Sequence, residues 1–319
     1  MILSCAVAFI YPFELFVFSY AVLGPLHYLT EISWLHDRNY FAKPGQKKRD
    51  ERMKRYWLIL VGVAISVLLF GFVMEKILHQ VITTKWEIAL FYLVFATAFL
   101  VAMVKSKWVK VTVVMLTLFA LVYFNASRYY ALIAFFLATI VHVLIFTGAF
   151  ILLGAIRARS LSGLLSLIVF GLCAVSFFIY APESTGHTVG EYVRNSHSSF
   201  RALNEQLLAL FRLGPGASLS DIYESTAGLM VMRLIAFAYT YHYLNWFSKT
   251  SIIKWHEIPM RRTVMIVGLW LVAVGIFAYS YEKGMIALYV LSILHVMLEF
   301  PLDHQTFASI GKDLYAMAR

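Results

Sequence analysis

Charged residues are scarce in this chain. Asp, Glu, Lys and Arg make up 14% of its 319 residues, whereas a soluble domain has about 25%. Hydrophobic residues reach 61%, and the mean hydropathy is +0.77. This balance excludes a soluble Rossmann fold and a disordered chain. Only two cysteines are present, Cys5 and Cys173, so a disulfide-stapled scaffold is excluded as well.

Long apolar runs dominate the rest of the sequence. One bilayer crossing takes roughly 20 apolar residues, and nine runs approach that length. They lie near residues 2–30, 56–79, 86–104, 109–125, 129–155, 161–181, 227–247, 262–281 and 284–302. Lipid offers no partner for backbone polar groups, so each run must be helical. We therefore predict an all-α fold, a single transmembrane helix bundle over residues 1–319.

The distribution of Lys and Arg predicts the orientation of this bundle. Its net charge is +10. With the N-terminus outside, 19 of the 27 Lys and Arg residues lie on the inner side, in 31–55, 105–110, 156–160, 248–262 and the C-terminal segment. Basic inner loops are typical of membrane proteins. The charge therefore indicates membrane lipids rather than nucleic acid as partners. We expect a multi-pass protein of the bacterial inner membrane with its C-terminus inside.

Two loops are candidate docking surfaces for a partner in a membrane complex. The basic loop 43–55 is a dense charge run, for which a topology anchor is the simpler interpretation. The outer loop 182–226 has apolar residues at helical spacing between Ser198 and Arg212, which predicts a short interfacial helix. The run Gly214-Pro215-Gly216 is expected to end that helix.

Ionisable side chains inside apolar spans are costly and mark functional sites. His27 and Glu31 lie four residues apart near the inner end of the first span, and His295 and Glu299 repeat that spacing in the ninth. Residues four apart share one face of a helix. His242 lies at the same predicted depth in the seventh span.

This pattern predicts a metal site near the inner face of the membrane. Its predicted ligands are His27, His242 and His295, with Glu31 and Glu299 completing or orienting the site. His142, closer to the middle of the fifth span, is expected to be a further ligand or a substrate contact. Imidazole and carboxylate together suit iron, zinc or manganese. Two alternatives stay open, namely hydrogen-bonded His–Glu pairs without a metal and a haem held by two histidines.

A second group of residues lies at the predicted inner surface. Three inner segments each place a histidine beside an acid, as His36-Asp37, His256-Glu257 and Asp303-His304. Metal-bound histidines commonly donate their second N–H to a carboxylate. These residues are therefore candidate outer partners of the metal ligands, and ordinary interfacial polar residues are the competing interpretation.

Glu14 and Arg233 are the remaining ionisable residues within spans. Glu14 lies two residues after Pro12, which is expected to interrupt the first helix and free a backbone carbonyl. Arg233 lies at a similar depth in the seventh span. A structural ion pair between them is the first interpretation, and a proton or substrate path is the second.

The run Gly24-Pro25-Leu26-His27, with single histidines in later apolar helices, resembles the bacterial Brp/Blh carotene oxygenases. Members of that family are basic, integral-membrane, iron-dependent proteins that cleave β-carotene to retinal. The resemblance implies that His27, His242 and His295 bind iron and that the substrate is a carotenoid. Tyr28 stands where that family has a glycine.

The sequence thus predicts a membrane oxygenase with non-haem iron that acts on a lipophilic substrate such as a carotenoid or lipid. Two alternatives of other classes stay open. The first is a non-enzymatic accessory or structural subunit of a membrane complex, docked through its loops. The second is a proton-coupled transporter with Glu14, Arg233 and His142 along its path. Transporters commonly show two related halves, and this sequence has no internal repeat.

Overall fold

The structure is a computed structural model. It describes residues 1–41, 48–78, 84–104, 106–123, 137–183, 185–211 and 219–319. These residues are mostly helical, and no strand occurs among them. Within the described ranges, six helical segments are long and apolar enough to cross a bilayer, namely Pro12–Asp37, Lys54–Gly71, Ile140–Ala158, Leu161–Ile179, Met260–Tyr279 and Tyr281–Met317. The predicted all-α fold with several membrane-length helices is confirmed.

Among the described residues, the helices follow one another in this order. The α-helices are α1 Ile2–Ile10, α2 Pro12–Phe18, α3 Gly24–Asp37, α4 Lys48–Leu78, α5 Thr84–Met103, α6 Lys107–Tyr123, α7 Thr147–Ala158, α8 Leu161–Ile179, α9 Glu191–His197, α10 Arg201–Leu210, α11 Leu219–Glu224, α12 Thr226–Ser248, α13 Thr250–Ile253, α14 Met260–Tyr279 and α15 Tyr281–Met317. Two π-helices, Ser19–Leu23 and Leu137–Phe146, precede α3 and α7.

The chain forms two compact units, each built from two separate stretches of sequence. Unit 1 comprises Met1–Thr30 and Val143–Tyr289, and unit 2 comprises Glu31–His142 and Val290–Arg319. The boundaries between them fall inside α3, the second π-helix and α15. Neither unit is therefore a contiguous piece of the chain.

The first predicted span, 2–30, is interrupted rather than continuous. Helix α1 ends at Tyr11, whose φ of −125° and ψ of 56° are not helical. Pro12 then begins α2, because the first position of a helix needs no N–H donor. The π-helix follows and leads into α3. The expected single helix is thus a series of shorter helices, and its break lies where proline predicted it.

Helix α12 forms the core of unit 1. Its residues are buried around nearly its whole circumference, and a helix of this kind needs cover on every face. Contacts to it come from α1, α2, the first π-helix, α8 and α10. It occupies the seventh predicted span, although it is not one of the six segments named above.

Helix α15 is much longer than the predicted span 284–302. It continues through Pro301 to Met317 without a break. Proline inside a helix removes one backbone hydrogen bond and usually kinks or ends the helix. Here the helix persists, so the residues after Pro301 stay in register with those before it.

The core of unit 2 is a continuous apolar cluster. Trp57 of α4 and Phe91 of α5 are buried in it with Phe300 of α15. The rings of Phe91 and Phe300 meet edge to face, with their centroids 5.4 Å apart. Burying an aromatic side chain contributes about 1.5–3 kcal/mol, so these contacts hold the middle of α15 firmly against α4 and α5.

The segment 180–225 between α8 and α12 is named the outer segment after its predicted location, and its described residues include three short helices. Helix α10 forms where the interfacial helix was predicted, and Leu203, Leu207 and Leu208 are buried on one side of it. It packs against α12 within unit 1. The predicted terminator 214–216 lies outside the described residues, as does the 43–47 part of the basic loop.

Candidate functional site

Helix α15 carries three ligand-type side chains in one row. His295, Glu299 and Asp303 follow one another at steps of four residues. Side chains at this spacing lie above one another on the same helix face. All three are buried, and Asp303 is 0% exposed. The sequence predicted the first two as partners but assigned Asp303 to the inner surface. Its burial follows from the continuation of α15 through Pro301.

The second π-helix, Leu137–Phe146, supplies a fourth side chain. His142 is buried, and its ring centroid lies 5.3 Å from that of His295. Its Nδ1 atom lies 3.3 Å from Oε2 of Glu299. π-Helices are rare, and they occur frequently at functional sites. The local widening of this helix therefore coincides with the place where an imidazole meets the row on α15.

His142, Glu299 and Asp303 together have the composition of a metal site. Each offers one ligand atom, and these three atoms all lie within 4.8 Å of one another. Ligands bound at about 2.0–2.2 Å from a common ion lie about 3–4 Å apart. A small inward movement of the side chains therefore brings all three into coordination range.

Asp303 gives independent support for a bound cation. Among the described residues, neither of its carboxylate oxygens has a hydrogen-bond partner. A buried polar group without a partner is costly, and the cost is higher for a charged group. A cation held between Asp303 and its neighbours removes that cost, and so does a proton on the carboxyl group.

A pair of histidines is the corresponding feature of unit 1. His27 of α3 and His242 of α12 are both buried, with their Nε2 atoms 3.1 Å apart. The sequence predicted these two as ligands of one site, and the structure places them together. His295, the third predicted ligand, belongs to unit 2 and lies beside His142. Glu31 is also buried, at the start of the α3 section that belongs to unit 2.

The histidine pair is embedded in further hydrogen bonds. Nδ1 of His242 lies 2.8 Å from the hydroxyl oxygen of Thr147, at the start of α7. The indole N–H of Trp246 donates to the hydroxyl of Thr30, 3.0 Å away, and its ring meets that of His27 edge to face. The sequence did not single out these partners, because a threonine or tryptophan in an apolar helix has no distinctive pattern.

Two tyrosines complete the surroundings of the pair. The hydroxyls of Tyr28 and Tyr243 are 2.8 Å apart and buried, and the ring of Tyr243 lies 5.0 Å from that of His27. A Cβ atom at Gly24 would meet the Tyr28 hydroxyl at 3.1 Å and the Tyr243 hydroxyl at 3.4 Å. The absence of a side chain at Gly24 therefore leaves room for the tyrosine pair.

Glu14 and Arg233 have other partners than each other. Glu14 lies 3.0 Å from Nε2 of His187, a residue of the outer segment, and both side chains are partly buried. Arg233 is fully buried and donates to the carbonyl oxygens of Phe9, at 3.3 Å, and Pro182, at 3.0 Å. The expected ion pair between Glu14 and Arg233 is therefore absent from the structure. Glu14 instead joins α2 to the outer segment, and Arg233 joins α12 to α1 and to the outer segment.

The predicted inner-surface histidines differ from one another in environment. His36, 66% exposed, lies 3.3 Å from Asp37, and His256, 79% exposed, lies 3.8 Å from Glu257. His304 is instead partly buried and lies 3.1 Å from the carbonyl oxygen of Phe95. The three histidines thus do not form one set.

A buried polar cluster that the sequence did not reveal lies in the outer segment. Nδ1 of His197 is 3.0 Å from the Tyr223 hydroxyl, which donates to the carbonyl of Arg194. The side-chain N–H of Asn204 donates to Nε2 of His197 over 3.1 Å. These contacts fit the neutral imidazole, and burial lowers the pKa of His197 to about 4.

No protein family, curated protein or solved structure matches this chain. The candidate sites are therefore defined by the geometry of the residues described above.

Proposed function

We propose that the protein is an integral-membrane metal-dependent oxygenase, with non-haem iron, that acts on a lipophilic substrate such as a carotenoid or lipid. The observation that carries this proposal is the convergence of His142, Glu299 and Asp303 in a buried part of unit 2. Structural stability alone does not favour such a group, because an apolar core of similar volume would avoid the cost of burying its charges.

The chemistry of the donors suits iron, as it suits zinc and manganese. Two carboxylates with one imidazole, and the second imidazole of His295 nearby, form a mixed oxygen and nitrogen set. Combinations of histidine and carboxylate with open positions are typical of non-haem iron oxygenases. Iron bound there would supply oxygen activation. His142, Glu299 and Asp303 would hold it, and the apolar surroundings would exclude water.

The histidine pair of unit 1 supports the same class of function. His27 and His242 offer imidazole nitrogens to a metal, as the resemblance to the Brp/Blh carotene oxygenases implies. That resemblance also makes a carotenoid the first substrate to test. A substrate of this kind would enter from the bilayer, because both candidate sites lie among apolar helices.

The membrane topology of the chain is part of this proposal. We assign nine crossings, with α12 as the seventh, the N-terminus outside and the C-terminus inside a bacterial inner membrane. The basic segments of the sequence support this orientation. Accessibility of single cysteines introduced at Arg159 and Glu191 tests it. Labelling of the first from the inner side only and of the second from the outer side only is expected.

Metal analysis of the protein purified in detergent is the decisive experiment. We expect about one iron or more per chain. His142→Ala and Asp303→Asn should lose most of the iron bound at unit 2, so their iron content per chain should fall. Two matched variants serve as controls, His256→Ala at an exposed histidine and Glu282→Gln at an exposed carboxylate of α15. Folded wild-type protein that takes up no iron, manganese or zinc contradicts the proposal.

An oxygen-consumption assay tests the reaction itself. With β-carotene in detergent, the iron-loaded protein is expected to consume oxygen and form cleavage products, whereas Asp303→Asn is not. The buried carboxylates also fit a proton-coupled transporter, because Asp303 would then carry a proton. That alternative predicts metal-free protein with proton flux in liposomes that Asp303→Asn abolishes.

A further inference from the structure

The hydrogen bonds of Thr147 have a defined direction. Its hydroxyl oxygen lies 2.7 Å from the backbone carbonyl oxygen of Val143 and 2.8 Å from Nδ1 of His242. A carbonyl oxygen only accepts, so the single hydroxyl proton of Thr147 is donated to Val143. The Thr147 oxygen is then an acceptor toward His242, whose Nδ1 must carry the proton.

This direction determines the tautomer of His242. A neutral imidazole has one N–H and one lone pair. With the proton on Nδ1, the Nε2 atom of His242 presents its lone pair to Nε2 of His27, 3.1 Å away. In the absence of a metal, the proton between the two rings therefore belongs to His27, which donates to His242.

We propose that Thr147 is the positioning residue of the His27–His242 pair, because it sets the tautomer of His242 and keeps the Nε2 lone pair directed at the site. The inference rests on the proposed function in one respect, namely that the Nε2 lone pair coordinates the metal. A histidine whose second nitrogen donates to a neighbouring group is a more basic and better oriented ligand.

The location of Thr147 suits this role. It is the first residue of α7, directly after the second π-helix, and its side chain is buried. Its hydroxyl is held by Val143, four residues earlier, so the acceptor cannot rotate away from His242 without breaking that bond. Thr147 therefore fixes both the proton and the orientation of the ring.

The experiment uses the whole 319-residue chain with ¹⁵N-labelled histidine, in which nitrogen chemical shifts distinguish protonated from lone-pair nitrogens. His242 is assigned by comparison with His242→Ala. In metal-free wild type, we expect a protonated Nδ1 and a lone-pair Nε2. Thr147→Val, which is nearly isosteric, should lose this preference, whereas Thr147→Ser should keep it. Thr240→Val is the matched control, since it removes a buried α12 hydroxyl that bonds to Ser19.

A second readout is the affinity for iron(II), titrated into metal-free protein. Thr147→Val should bind about 10- to 100-fold more weakly at the unit 1 pair, while Thr147→Ser and Thr240→Val should stay near the wild-type affinity. The inference is overturned if wild-type His242 carries its proton on Nε2, or if Thr147→Val leaves the tautomer unchanged. If Thr147→Val does not fold, the wild-type spectrum still tests the tautomer of His242. Wild type that binds no metal contradicts the proposed function and leaves the tautomer result standing.

Discussion

The Nε2 atoms of His27 and His242 lie 3.1 Å apart although the two residues are 215 positions apart in the sequence. This separation equals that of a hydrogen bond between two imidazoles. It is also close to the spacing of about 3–3.5 Å between two adjacent ligands that each lie about 2.1 Å from one ion. A metal can therefore replace the shared proton with little movement of either ring.

Removal of one imidazole tests this relationship. His27→Ala is expected to reduce the iron bound at unit 1 at least about 100-fold and to abolish oxygenase activity, because the remaining histidine cannot hold the ion alone. Elemental analysis and oxygen consumption check both effects. The control is His36→Ala on the same helix, whose side chain is largely exposed. Full metal content in His27→Ala would contradict a role of this residue as a ligand.

Asp303→Asn should change thermal stability in opposite directions with and without metal. In metal-free protein the variant is expected to be more stable than wild type at pH 8, because it removes a buried carboxylate that has no hydrogen-bond partner among the described residues. Iron at 100 times its dissociation constant for the unit 2 site should stabilise wild type by about 2.7 kcal/mol more than it stabilises the variant, which keeps only the unit 1 pair. Unfolding curves with and without iron provide the measurement. Glu282→Gln, at an exposed site on α15, should behave as wild type.

Acidification should destabilise the outer segment through His197. Burial lowers its pKa from 6.5 to about 4, so the unfolded chain binds a proton at a higher pH than the folded one. The associated stability is complete above about pH 6.5 and is lost as the pH falls toward 4, by about 3 kcal/mol in all. Amide hydrogen exchange of residues 191–211 and 219–224, corrected for intrinsic rates, should show this loss.

The variant His197→Phe separates this effect from general acid sensitivity. It removes the titrating group, so the protection of the outer segment should depend much less on pH between 6.5 and 4. His256→Ala, at an exposed histidine, should retain the wild-type pH dependence. Equal pH dependence in wild type and His197→Phe would show that another group is responsible.

Gly24→Ala tests the packing beside the histidine pair. The added methyl group would lie 3.1 Å from the Tyr28 hydroxyl, so the hydrogen bond between Tyr28 and Tyr243 should lengthen. We expect a loss of stability of about 1–3 kcal/mol. Gly62→Ala in α4 meets no atom within 4 Å and should instead stabilise the protein by up to about 1 kcal/mol. Thermal unfolding of both variants provides the comparison.

The helix content and the residue types of the candidate ligands could be predicted from the sequence. Apolar runs predict membrane-length helices because unpaired backbone groups are not tolerated in lipid. The four-residue spacing of His295 and Glu299 predicts that they share one helix face. In the structure both lie in the continuous helix α15, which gives them that arrangement. The same spacing extended to Asp303 would have placed this residue with them. The apolar run 284–302 ends directly before Asp303, so the sequence pattern assigned this residue to the inner surface.

The composition and spacing of the residues by themselves determined that this protein is all-helical, that several of its helices suit a membrane, and that histidines and carboxylates lie inside them. Only the tertiary structure decided which of these groups meet. It paired Glu14 with His187, placed Asp303 beside His142 and directed Thr147 at His242. The physical reason is that periodicity fixes the faces of a single helix, whereas contacts between distant helices depend on breaks, π-helices and side-chain packing that no local pattern records.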